Sequence, residues 1–180
     1  MLVVLEGKNV NLTVVEKEDL PLLADWNSNL ALLGEYVWLP QQTRTDLEKR
    51  CDNFTSDNKW FLIEKKDGAK VGYIAHFPAA EKLGVEIGYI MVPSERSKGY
   101  CTEAVKIMVD YLFLSKDIVR VQAHTDVRNA GSQKVLENAG FSKEGTLRKS
   151  SFIRGEWRDN FVYNILREEW KEPKILTRST

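Results

Sequence analysis

The chain has 180 residues, and its 26 Lys plus Arg balance 26 Asp plus Glu. That length suits one domain, and zero formal net charge excludes a global pull toward nucleic acid or an anionic membrane. Two cysteines, Cys51 and Cys101, and two histidines, His76 and His124, show neither a disulfide framework nor metal-ligand spacing. No metal is therefore expected.

The first residues, Met1 to Glu6, lack the basic-then-apolar pattern of a signal peptide. No apolar run approaches the ~20 residues of a membrane span. A reducing cytoplasm fits best.

In chain order, Val10 to Val15 alternates and predicts a strand. Glu18-Asp19-Leu20-Pro21 opens a helix, since acids and an early proline suit a first turn. Thr45-Asp46-Leu47-Glu48 has capping-box form and predicts a second helix, with Leu47, Cys51 and Phe54 on one stripe. Three strands follow, Trp60 to Lys65, Val71 to Phe77 and Val85 to Val92. Asp67-Gly68 marks the first turn between them and Leu83-Gly84 the second.

A helix is predicted from Gly99 to about Ser115, burying Ala104, Met108, Tyr111 and Leu112. Ile118 to Thr125 reads as a strand. Asn129 as N-cap and Gly140 as stop bound a short helix over 130–139. Phe141 to Ile153 and Glu156 to Leu166 are two last strands, turning at Arg154-Gly155. A meander followed by alternating units argues for a mixed α/β sheet, not a doubly wound parallel one. A single domain over 1–170 and a polar tail over 171–180 are expected.

The chemistry lies in Gly88-Tyr89-Ile90-Met91-Val92-Pro93-Ser94-Glu95-Arg96-Ser97-Lys98-Gly99-Tyr100-Cys101-Thr102. A strand enters a polar loop and the loop opens a helix, whose free amides form an anion site. Gly99 removes a side chain where a phosphate would approach, and Arg96 and Lys98 add positive charge. The pattern is neither a Walker loop nor a dinucleotide fingerprint.

These residues resemble the GNAT superfamily of acetyl-CoA-dependent acyltransferases, whose pyrophosphate loop reads Arg/Gln-x-x-Gly-x-Gly/Ala. Arg96-Ser97-Lys98-Gly99-Tyr100-Cys101 matches except at Cys101, where the family usually has glycine or alanine. Asn129-Ala130-Gly131-Ser132, then Leu136-Glu137-Asn138-Ala139-Gly140-Phe141, looks like the family's Asn-x-x-Ser/Ala helix ending in Gly-Phe. Glu144-Gly145 followed by Phe152-Ile153-Arg154-Gly155-Glu156-Trp157-Arg158-Asp159 is similar to the branch containing ribosomal-protein N-terminal and spermidine acetyltransferases. The resemblance is strongest from Glu86 to Leu166.

It implies a GNAT-like mixed, splayed sheet of about seven strands flanked by about four helices. Acetyl-CoA would insert between the strands ending near Val92 and Thr125. Backbone groups of Met91 and Val92 would hold its pantetheine arm, and an N–H there would stabilise the oxyanion. Arg96, Ser97, Lys98, Gly99, Tyr100, Cys101 and Thr102, with Asn129, would contact the cofactor.

Glu86 stands where many relatives place a general base. The same residue could simply pair with a neighbouring Lys or Arg, and a bound water could take the proton instead. Ser132 matches a serine proposed to protonate the departing thiolate, or is a plain first-turn serine. Asn129 is an N-cap whatever else it does. The branch's candidate base on the strand after Phe141 is replaced here by Ser151. Cys101, at a helix N-terminus, offers a rival covalent route, but no His pairs with it at a recognisable spacing.

Tyr36 and Trp38 lie in the segment that forms the acceptor wall in the family, although such aromatics are more often core or cleft wall. The resemblance of the Phe141 to Leu166 hairpin to this branch implies a primary amine as acceptor. Ser142 to Arg158 carries five basic residues (Lys143, Arg148, Lys149, Arg154, Arg158) against two acids (Glu144, Glu156), which favours a protein or peptide N-terminus, or a small amino-acid-like amine, over a polyamine. Dimerisation is common among the relatives. Two rival classes are a non-catalytic acyl-CoA-binding regulatory module and a nucleotide-binding domain. Asn129 with Gly140-Phe141 disfavours the second.

Overall fold

The computed structural model describes residues 4–38, 42–79, 84–171 and 173. Leu83 of the expected second turn and most of the expected tail lie outside the described residues. Eight strands form one sheet: β1 (Val4–Glu6), β2 (Val10–Val14), β3 (Lys59–Lys65), β4 (Lys70–Pro78), β5 (Gly84–Met91), β6 (Arg120–Asp126), β7 (Ser142–Ile153) and β8 (Glu156–Leu166). Five helices accompany them: α1 (Leu20–Ser28), α2 (Leu30–Leu33), α3 (Arg44–Asp52), α4 (Tyr100–Ser115) and α5 (Ala130–Asn138).

The sheet order is β1-β2-β3-β4-β5-β6-β8-β7. Every neighbouring pair is antiparallel except β5 with β6. Those two pair only at Gly84–Arg120, Val85–Val121 and Glu86–Gln122. Beyond Glu86, β5 stays with β4 as far as Met91, and β6 stays with β8 as far as Asp126. The sheet therefore splits into a V whose apex is Glu86.

Alternation along each strand divides the core in two. Phe61, Ile63, Ile74, Val85, Ile87 and Val121 pack against Ala104, Ile107, Met108 and Leu112 of α4. On the other face Leu62 and Tyr73 pack against Leu20, Leu23 and Trp26 of α1 and Leu47 of α3. Trp60 and Tyr73 stack there at 5.0 Å between ring centroids.

The expected elements recur with three differences. β1 is an added strand, too short at three residues to carry a readable alternation. α2 is an added single turn capped by Asn29, whose side chain accepts from the amides of Ala31 and Leu32. The capping box of α3 uses Thr43 and Asp46 instead of Thr45 and Glu48, and Glu48 pairs with Arg44 (3.0 Å). At Arg154-Gly155 both residues have positive φ, 50° and 86°, the geometry of a hairpin turn whose twist matches its strands.

Candidate active site

β5 leaves the sheet at Met91 and a short turn, Pro93–Glu95, leads into the loop. Ser97 and Gly99 have φ of 61° and 84°. This double left-handed bend brings the chain round to start α4, with Gly99 as N-cap and no side chain capping the first turn. Glu103, which also lies in that turn, faces away: its carboxylate accepts from the backbone and side chain of Asn9, both at 2.7 Å. The amides of Tyr100, Cys101 and Thr102 thus lack an intrahelical acceptor. A Cβ on Gly99 would meet nothing within 4 Å, so the protein leaves open space at this N-cap. The loop fits an anionic group such as a pyrophosphate.

The two cations of the loop differ. Lys98 is half exposed and bonds Glu95 at 3.2 Å. Arg96 turns back from the loop: its Nε donates to the carbonyl of Met91 (3.1 Å) and its Nη2 to the carbonyl of Leu32 (2.6 Å). Arg96 therefore fastens α2 to the end of β5. Cys101 packs beside the α4 core, and burial pushes its thiol up to about 12. It is a small apolar side chain there, not a thiolate.

The edges of the V follow from the ladder. The amide of Val92 donates to the carbonyl of Val71 (2.9 Å), and the amide of Ala79 donates to that of Gly84 (3.2 Å). Antiparallel alternation then turns even-numbered residues of β5 toward β4, and Ile87, Tyr89 and Met91 toward the gap. This corrects one expectation: the Val92 amide is engaged within the sheet, so an oxyanion donor there must be an odd-numbered residue such as Met91.

At the apex Glu86 faces the same side as Gln122 and His124. Its Oε1 lies 3.0 Å from His124 Nδ1, and Gln122 Nε2 donates to its Oε2 at 3.5 Å. The Glu86 side chain retains 18% exposure, so it is sheltered yet reachable. A pocket of about 300 Å³ opens on this face, lined by Arg120, Gln122, His124, Glu144, Thr146, Leu147 and Val162 among others. His124 is a neighbour of Glu86 that spacing alone missed, because the contact depends on the parallel register of β5 with β6.

On the other side of the gap, Asn129 accepts from the amide of Ser132 (3.1 Å) and so caps α5 as expected. Ser132 Oγ lies 2.8 Å from the hydroxyl of Tyr89. Toward the mouth, Tyr36 donates to the carbonyl of Arg128 (3.1 Å), while Trp38 is 62% exposed. Arg158 donates to the carbonyl of Glu35 (2.9 Å) and to Asp126 (3.3 Å), and Arg154 donates to the carbonyl of Gly34. Burial opposes ionisation of Asp126, but its bonds from Arg128 and Arg158 outweigh this and hold its carboxyl below the usual range. These arginines brace the mouth. Among the described residues no cluster of His, Cys, Asp or Glu is placed to hold a metal, and no helix is long and apolar enough to cross a membrane.

Residues 9–142 match the family model described as an acetyltransferase (GNAT) domain. The chain belongs to the GNAT acetyltransferases. It is 46% identical over 80 residues to a probable N-acetyltransferase, YjcK, of Bacillus subtilis, a match spanning 44% of each chain. The ribosomal-protein-S5-alanine acetyltransferase structure from Vibrio fischeri superposes with a TM-score of 0.82 at 21% identity, over 94% of this chain and all of that one. Spermidine N-acetyltransferase from Vibrio cholerae, in complex with CoA and spermine, gives 0.79 at 21% identity, covering 89% and 97%. Both structures share the fold. The chain is an acetyl-CoA-dependent N-acetyltransferase, and acetyl-CoA is its cosubstrate.

Proposed function

We propose that this GNAT enzyme acetylates a primary amine on a peptide N-terminus or a small amino-acid-like molecule, with Glu86 as general base. The observation that carries the reading is the place of Glu86. It sits at the apex of the V, held by His124 and Gln122, where a thioester threaded between β5 and β6 would end. The α4 amides and Gly99 would fix the pyrophosphate, with Lys98 nearby. Fixing the donor in this way makes attack effectively intramolecular.

An amine must lose a proton as it attacks. Glu86 accepts it directly or through a water. A gap-facing amide of β5, such as that of Met91, stabilises the tetrahedral oxyanion. Ser132 meets the departing sulfur.

The acceptor class follows from the charge at the mouth. A polycation calls for a wall of unpaired carboxylates. Here Asp126 is occupied by Arg128 and Arg158, Glu144 by Arg120, and Glu156 lies within 4 Å of Arg128 and Arg158. Tyr36 and the exposed Trp38 offer an apolar wall suited to a peptide. The test is competition between spermidine and short free-N-terminus peptides at equal concentration. A higher kcat/KM for peptides is expected. Preference for spermidine would overturn the acceptor reading, and CoA binding without turnover on any amine would mark a non-catalytic module.

A further inference from the structure

The Tyr89–Ser132 contact joins the two arms of the V. Tyr89 lies on β5 three residues past the apex, and Ser132 lies in the first turn of α5. The phenol oxygen is 2.8 Å from Ser132 Oγ and 3.3 Å from the Ser132 carbonyl. Tyr89 is partly buried against the α4 core. Asn129 fixes the Ser132 backbone from the other side. The serine is therefore held at its amide by Asn129 and at its hydroxyl by the shorter of the two Tyr89 contacts.

We infer that Tyr89 is a positioning residue for the leaving-group end of the reaction, acting through Ser132. A phenol has one proton. Given to Ser132 Oγ, it leaves the serine's own proton free to point into the gap. The inference rests on the acetyl-transfer reading and adds a residue to it.

The chemistry balances without a strong acid. The amine nitrogen forms a bond to the acetyl carbon, and the C–S bond breaks with its electron pair on sulfur. The amine proton goes to Glu86 or its water. The thiolate accepts a hydrogen bond from Ser132 Oγ–H, whose oxygen accepts one from Tyr89. A hydrogen bond to a charged acceptor is stronger than a neutral one, and a chain of two polarises further. The serine need not give up its proton, because an alcohol is a far weaker acid than a thiol. The thiolate takes its proton from solvent on release. Burial also raises the Tyr89 phenol above its ordinary range, so it stays a donor under alkaline conditions.

The experiment compares the wild type with Tyr89→Phe, Ser132→Ala and the double variant, at saturating acetyl-CoA with an accepted amine. Tyr89→Phe keeps the ring and its packing. It should lower kcat by about tenfold, the worth of one hydrogen bond made in the transition state, with acetyl-CoA Kd and Tm unchanged. The double variant should be no slower than Ser132→Ala, since both act through one contact. Wild-type kcat in Tyr89→Phe, or an equal further loss when it is added to Ser132→Ala, would overturn the inference. Absence of turnover by the wild type on any amine would instead remove the acetyl-transfer reading beneath it.

Discussion

Glu86 and His124 meet at 3.0 Å across the only parallel strand pair of the described sheet. The contact joins a carboxylate on the last rung, Glu86–Gln122, to an imidazole two residues beyond it on β6. Such a pair works as a unit, and the imidazole fixes the rotamer of the carboxylate. His124→Gln should therefore lower kcat while leaving acetyl-CoA affinity intact. Added to Glu86→Gln it should cost little more, because the pair is already broken. Steady-state kinetics of the two single variants and the double variant would check this. Fully additive losses would contradict the coupling.

Gly99→Val should weaken acetyl-CoA binding by about tenfold or more, by losing one or two charge-assisted bonds to the loop amides. A valine is strained at φ of 84° and would fill space left open at the helix start. Calorimetry on the folded variant is the measurement.

Arg96→Gln should act on the acceptor more than on the cofactor. Arg96 joins the carbonyls of Leu32 and Met91, so its loss would loosen α2 beside the mouth. The expected outcome is a raised acceptor KM with a smaller change in acetyl-CoA Kd. A selective loss of CoA affinity would show that the guanidinium reaches phosphate instead.

Cys101→Ala should retain most activity, and the wild-type thiol should react slowly with iodoacetamide at pH 8, since burial pushes it up to about 12. An acetylated Cys101 trapped by mass spectrometry would revive a covalent route.

His76 is fully buried between Phe61 and Tyr111. Burial, the larger cause, and Lys116 lower its pKa from 6.5 to about 4. The unfolded chain therefore binds the extra proton first, and stability must fall as pH drops from 6.5 toward 4. The loss attributable to this group approaches about 3 kcal/mol at the lower end. His76→Phe should flatten that part of the pH–stability curve in denaturant melts. An unchanged slope would remove His76 as the cause.

Much of this architecture was legible in the sequence. Strands β3 to β5 alternate cleanly, and Gly99, Asn129 and Gly140 punctuate their helices at the expected places. The strand–loop–helix that carries Glu86 and Gly99 was legible from local signals. The contacts of His124 and Tyr89 were not, because they depend on which strand lies beside β5 and where the two part. That long-range pairing leaves no local mark. The carbonyl partners of Arg96 were hidden for the same reason: a basic loop residue suggests phosphate, and only the fold shows Leu32 within its reach. The Thr43 box was displaced because Thr45 and Glu48 mimic it two residues on.

The central claim is that Glu86 serves the chemical step at the apex of the V. The direct measurement is the pH–rate profile of kcat for the wild type and Glu86→Gln, alongside acetyl-CoA Kd for both. Glu86→Gln should lose about a hundredfold or more in kcat, the range of general-base assistance, with its acidic limb abolished and Kd unchanged. An unaltered profile and kcat would contradict the account and leave Glu86 a structural partner of His124.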